Sequence, residues 1–397
     1  MRRRQWLCAV VVLSGLVGCS STSTNVRESS GGSGGDAAGG SAGTAGSGSA
    51  GQSAGGAGGS GSPGGASGAA TGGGAATGGT AGQSTGGTAG AGGHCSTPLA
   101  DCSGDTCPVE DVYTDLGLVS SLAVAANQLY WTQGVGNSSV LVRAPKEGGC
   151  PEVMISDLVP AGSVRELLND SDALYVSTMV PARQLLRVDK ISTQVSVLVD
   201  GSSCSAPLPL IAQNDTRLFF GCATGGGFVG RVEKSSSPMP VVHYQPGAGE
   251  LGATGLAASA NWVFWVSKSL FRVDATTAAG PQTVSTAADL ERVAVGLSAV
   301  YSQRASQVWS TTPDGSNPAL FIPNLSDVSH LTAQSGIVVV SDGKGTTGSQ
   351  RVVGRGEQQP THRVYTSSEG RVSAIAADAR YVYWTDTQTG AIRRRAR

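Results

Sequence analysis

Histidines and carboxylates that gather in space can hold a metal ion or move a proton, and cysteines can take lipid, metal or a disulfide partner. This chain is thinly supplied with the first kind. Its histidines are His94, His243, His330 and His362. The repeat described next puts His243 and His362 in outer strands and His330 near a first strand, so they are not expected to converge. Asp157, Asp189, Asp200, Asp274 and Asp327 stand at the ends of short apolar runs, where a carboxylate accepts bonds from turn amides. They do not form the dense loop of alternating oxygen ligands that calcium requires. No GxSxG elbow leads into a helix, and the glycines of residues 20–93 follow no strand and precede no GKS or GKT. No catalytic, cofactor-binding or metal-ligating residue is therefore assigned, and no cofactor is expected.

The elements that must position any site come from an internal repeat. The phrase Tyr381-Val382-Tyr383-Trp384-Thr385-Asp386 has weaker copies at Leu129-Tyr130-Trp131, Leu174-Tyr175-Val176, Leu218-Phe219-Phe220, Val263-Phe264-Trp265, Val300-Tyr301 and Val338-Val339. Counted from the first residue of each copy, with Val382 for the last, the copies begin 45, 44, 45, 37, 38 and 44 residues apart. Units of about 40–45 residues with four short strands predict an all-β chain folded as a β-propeller. Each copy reads as a second strand. A third strand follows, ending near a recurrent arginine (Arg143, Arg187, Arg231, Arg272), which is read as a scaffold contact or a solvated strand face rather than a ligand ring.

The last unit reaches Arg397 just after its third strand, while Glu110-Asp111-Val112-Tyr113-Thr114 matches the fourth strand His362-Arg363-Val364-Tyr365-Thr366. The N-terminal strand is thus expected to complete the last blade and cover an open edge. Seven anchors then give seven four-stranded blades. Tyr383 to Asp386, and less fully Tyr130-Trp131-Thr132, resemble the YWTD repeats of the low-density lipoprotein receptor type. That family's propeller has six blades, so its ligand-binding roles are not carried over.

The segment before the repeat bears on location. Arg2, Arg3 and Arg4 precede an apolar stretch from Trp6 to Val17, shorter than the roughly 20 residues of a spanning helix. Residues 1–18 read as a secretory signal. Leu16-Val17-Gly18-Cys19 resembles the lipobox of bacterial lipoproteins, which implies cleavage before Cys19 and acylation of that residue. Several acyl chains, palmitate among them, would hold the protein to a membrane. Ser20 stands where aspartate retains such proteins at the inner membrane, so the cell envelope, and within it the outer membrane, is the expected location. Residues 19–93 are a Gly/Ser/Ala/Thr-rich tether that cannot bury enough apolar surface to order itself, with an r.m.s. reach of roughly 45–50 Å. Residues 94–397 form the propeller domain.

With a net charge of −1 and no long basic run, nucleic acid is not an expected partner. The one basic cluster, Arg393, Arg394, Arg395 and Arg397, reads as a solvated tail or exposed strand end. Six cysteines follow the lipidated one, and an even count in an exported domain implies disulfides. Cys204 and Cys222 flank neighbouring antiparallel strands and form the favoured pair. Cys107–Cys150 with Cys95–Cys102 is the assignment for the rest. The function expected is a monomeric, surface-tethered module that binds or scaffolds protein or glycan. The alternatives are a propeller enzyme, such as a metal-dependent hydrolase or lyase, and an envelope-assembly scaffold.

Overall fold

All six side chains of Tyr381–Asp386 are buried. A strand covered on one face alternates apolar and polar residues, whereas one covered on both faces reads as a continuous apolar run. The recurrent phrase is therefore the signature of a strand packed between two neighbouring sheets. The computed structural model describes residues 95–397, apart from residue 105 and the stretches 180–182, 202–209, 223–227, 235–239, 245–252 and 344–348. The signal segment, Cys19 and the tether lie outside the described residues.

The described residues form 28 strands, β1 to β28 in chain order, in seven four-stranded antiparallel sheets. The innermost strands are β2 (Val119–Ala125), β6 (Val164–Asn169), β10 (Leu210–Gln213), β14 (Gly255–Ala258), β18 (Leu290–Val295), β22 (Val328–Gln334) and β26 (Ile375–Ala377). Each packs against the next, and β26 returns to β2, so the ring is closed. Seven apolar clusters fill the seven seams between adjacent blades. The chain is a seven-bladed β-propeller.

Blade 7 is closed as the repeat implies. Its sheet order is β26-β27-β28-β1, where β27 is Tyr381–Asp386, β28 is Ala391–Ala396 and β1 is Glu110–Tyr113. The register sets Glu110 opposite Arg394 and Asp111 opposite Arg393. Arg393 Nε lies 2.7 Å from Asp111 Oδ1, and Arg394 Nε lies 2.7 Å from Glu110 Oε2. The basic terminus is thus no solvated tail. Arg394 is fully buried, its ring contact with Tyr381 is 4.3 Å, and Nη1 donates to Glu147 Oε2 and to Lys146 O. The tail expectation fails because the ring closure supplies Arg394 with carboxylates from the far end of the domain.

Arg394 is also the blade-7 member of the recurrent arginine series. Arg143, Arg187, Arg231, Arg272 and Arg394 each stand opposite the aromatic of their second strand. Arg394 Nη1 donates to Lys146 O, Arg143 to Lys190 O, Arg231 to Thr276 O and Arg272 to Pro313 O, in every case a loop carbonyl of the next blade. These guanidiniums lace blade to blade, as scaffold contacts should.

The disulfides differ from the expected pairs. Cys95 joins Cys150, and Cys102 joins Cys107. Residues 95–109 form a strap that runs beside the loop after the third strand of blade 1 before it reaches β1. Ser96 N donates to Gly149 O at 2.9 Å and Leu99 N to Glu147 O at 2.7 Å, which brings Cys95 to Cys150. Cys102 is left to close a tight turn with Cys107. Of the Cys204–Cys222 pair, Cys222 ends β11 (Arg217–Cys222) and Cys204 lies outside the described residues.

Candidate ligand-binding mouth

Where the chain steps into an inner strand, the same local device recurs. The ladder between first and second strands skips one residue at Val119/Ser121, Val164/Glu166, Leu290/Arg292 and Val328/His330. Each skip is a β-bulge, which re-aims side chains at the rim of a sheet. Two apolar residues bracket a polar pair at each: Ser120-Ser121, Arg165-Glu166, Glu291-Arg292 and Ser329-His330. Blade 7 matches with Ser373-Ala374. Together these pairs surround one mouth of the central channel.

The bulge is held by a hydroxyl of the second strand. Thr132 pairs opposite Ser121, Ser177 opposite Glu166 and Ser341 opposite His330. Thr132 Oγ1 lies 2.6 Å from Ser121 Oγ, and Ser177 Oγ accepts from Glu166 N at 3.2 Å. Thr385 Oγ1 accepts from both Ser373 N and Ala374 N at 3.0 Å. The threonine of the Tyr-Trp-Thr-Asp phrase therefore has a structural role, because it satisfies two amides that lie just before the β26–β27 ladder begins.

Polar groups at the mouth then tie neighbouring blades. Glu166 Oε2 accepts from Ile211 N at 2.8 Å, Arg292 Nε donates to Val328 O at 3.2 Å, and Ser373 Oγ donates to Val119 O at 2.5 Å. Glu291 Oε2 takes a bond from Gln303 Nε2 at 3.1 Å. Desolvation pushes the Glu166 carboxyl up to about 7, against the opposing pull of the Ile211 amide, Arg165 and Arg292. His330 is pushed down to about 3, by desolvation first and then by the charges of Arg292, Arg165 and Arg371. Its imidazole is neutral, with Nδ1 2.9 Å from Ser341 Oγ. A carboxyl that titrates near neutrality, a neutral imidazole and three guanidiniums give this mouth proton-holding and anion-holding capacity.

The other sequence-marked residues lie elsewhere. His243 is in β13 (Val241–Tyr244), buried, with Nε2 2.9 Å from Asp274 O and its ring edge-on to Phe219. His362 is exposed before β25 (Arg363–Glu369). The three described histidines do not converge, but His330 sits on an inner strand at the channel. Asp189 and Asp274 accept turn amides, from Ile191 and Ser192 and from Thr276 and Thr277, and both carboxyls are held below the usual range by those bonds. Among the described residues no three metal-ligating side chains gather.

Strand direction separates two faces. The chain enters β2 at the mouth, so the turns between first and second strands, and those between third and fourth, lie on the opposite face. Cys150 follows β4 (Ser138–Pro145) and precedes β5 (Glu152–Pro160), which puts the Cys95–Cys150 bond on that opposite face.

No protein-family model and no curated protein matches the sequence. Solved structures match in shape. A chain of the Mitotic Checkpoint Complex aligns at a TM-score of 0.54 with 13% identity, over 76% of this chain and 98% of that one. PorZ, an essential bacterial surface component of the type-IX secretion system of Porphyromonas gingivalis, aligns at 0.52 with 12% identity, over 71% of this chain and 37% of that one. The computationally designed Ika8 protein aligns at 0.50 with 12% identity, over 72% and 98%. The likeness is one of fold.

Proposed function

We propose that this protein is a lipid-anchored envelope component whose propeller binds a protein or glycan at the channel mouth, as a recognition module rather than an enzyme. The observation that carries the reading is the opposition of two faces. The Cys95–Cys150 staple fixes the start of the domain on one face, and the polar bulges crowd the other. A protein tethered through Cys19 and residues 19–93 then presents the mouth outward. The lipobox-like Leu16-Val17-Gly18-Cys19 supports acylation at Cys19, and Ser20 supports the outer membrane. PorZ, described as a surface component of a secretion system, is a precedent for this ring shape at a bacterial surface and supports an envelope-assembly role as a variant of the same reading.

Acylation is tested by metabolic labelling with palmitate, which the wild type takes up and Cys19→Ala does not. Recognition is tested by adding bulk. Leu118→Trp with Ala161→Trp loads the mouth face, and Ser171→Trp with Ala260→Trp loads the opposite turns; all four positions are exposed. Binding to envelope material falls in the first variant and persists in the second. The reverse pattern would refute the assignment of the mouth.

A second reading has one specific observation behind it. Glu166 titrates near pH 7, where a general acid or base works best. An enzyme acting at the mouth would lose turnover in Glu166→Gln while keeping ligand affinity.

A further inference from the structure

Most arginines of this domain have their donors engaged by the fold. Arg143, Arg231, Arg272 and Arg394 of the third-strand series give guanidinium hydrogens to carbonyls of the next blade. Arg165 and Arg371 do not follow this pattern. Both are exposed at the mouth, and neither guanidinium has a hydrogen bond or ion pair among the described residues. Arg292 engages only Nε, with Val328 O. These three arginines come from blades 2, 5 and 7, so they approach the channel from well-separated directions.

Their charges are mutually felt. Burial, and then the charge of Arg165 across the ring, lowers the proton affinity of Arg292 against the opposing pull of Glu291, Glu166 and Asp327, and Arg165, Arg292 and Arg371 all act on His330. Like charges held near one another raise the energy of the unliganded site, an effect opposed by Glu166, which both Arg165 and Arg292 feel. Two of the nearby carboxylates hydrogen-bond to other partners. Glu291 is turned to Gln303 and Glu166 to the Ile211 amide. Asp327 stands exposed at the rim.

We propose that the channel mouth takes an anionic ligand, bearing carboxylate or phosphate groups, between Arg165, Arg292 and Arg371. Guanidinium forks recognise such oxyanions through paired charge-assisted bonds. The mouth carries no exposed aromatic platform among the described residues, and its hydroxyls are engaged with the bulge backbone, so the arginines supply the recognition. Neutral His330 leaves the ligand's approach free of a proton that would titrate with it. The proposal rests on the reading of the mouth as the binding site and narrows its ligand to acidic ones, an acidic glycan or a phosphoester.

The test is calorimetric titration of the full chain, purified in detergent, with three probes: a trimer of galacturonic acid, inorganic pyrophosphate and the neutral sugar maltotriose. At least one anionic probe is expected to bind, and maltotriose is not. Which anion binds separates the carboxylate source from the phosphate source. Arg165→Gln and Arg371→Gln each remove an exposed charge outside the blade lacing, and each is expected to weaken binding about tenfold or more. The inference is overturned if neither anion binds at millimolar concentration, if maltotriose binds equally well, or if the double glutamine variant binds like the wild type. Retention of envelope binding by that double variant, with loss in Leu118→Trp with Ala161→Trp, would sink the anion chemistry and leave the recognition reading standing.

Discussion

Arg394 Nε donates to Glu110 Oε2 at 2.7 Å across the strand pair that joins the two ends of the propeller. The contact spans most of the domain in sequence, and the guanidinium has no exposed surface. Removing one partner of a buried pair leaves the other charge uncompensated. Arg394→Ala is therefore expected to destabilise the domain by about 3–5 kcal/mol. Urea unfolding measures it, and a loss below about 1 kcal/mol would mean that the closure does not depend on this ion pair.

The two disulfides restrain loops of very different length. Cys95–Cys150 spans 55 residues and Cys102–Cys107 spans 5. Loop-closure entropy gives about 4 kcal/mol for the first and about 2 kcal/mol for the second. Replacing Cys95 and Cys150 by serine should lower the unfolding midpoint more than replacing Cys102 and Cys107. The opposite order would show that the strap acts through local contacts, such as the Cys102 N bond to Tyr381 Oη at 3.3 Å, rather than through the long covalent loop.

Thr385 holds the amides of Ser373 and Ala374, the two residues before Ile375 of β26. Thr385→Val keeps the shape and removes the acceptor, which leaves buried donors unpaired at a cost of about 1–3 kcal/mol. Thr385→Ser restores the acceptor and should recover most of that loss. Equal stability of the valine and serine variants would remove the hydroxyl from the account of the repeat.

Glu166 and His330 bend stability with pH in opposite directions. Glu166, facing Arg165 and Arg292, is raised from 4.5 to about 7. Its contribution is full below pH 4.5 and is lost as pH rises through 7. His330, facing Arg292, Arg165 and Arg371, is depressed from 6.5 to about 3, so its contribution is full above 6.5 and is lost as pH falls through 3. In Tm profiles Glu166→Gln should flatten the decline toward neutral pH, and His330→Gln should flatten the decline toward acid. Profiles parallel to the wild type in both variants would contradict the stated environments.

The repeat and the ring closure were legible in the sequence because two-sided burial forces one apolar phrase on every second strand, from Leu129 to Trp384. The same burial hid the roles of single polar residues. Arg394 looked like part of a basic tail because its partners, Glu110 and Glu147, lie at the other end of the domain. The strap's path escaped as well. Cys95 meets Cys150 through backbone bonds at Ser96 and Leu99, which strand order does not encode.

The mouth was harder still. Only its apolar brackets repeat, as Val119 and Leu122, Val164 and Leu167, or Val328 and Leu331. The polar pair between them changes from Ser120-Ser121 to Arg165-Glu166 to Ser329-His330, so beyond the serine shared by Ser120, Ser329 and Ser373 no residue type recurs for a motif to find. Bulges of this kind are read by aligning the brackets, and that alignment would have placed His330 and Glu166 together.

The most direct test of the central claim compares envelope binding by the full chain, by the mouth variant Leu118→Trp with Ala161→Trp, and by the opposite-face variant Ser171→Trp with Ala260→Trp. Loss confined to the mouth variant is the expected result. Loss confined to the opposite-face variant, with the mouth variant binding as the wild type does, would contradict it.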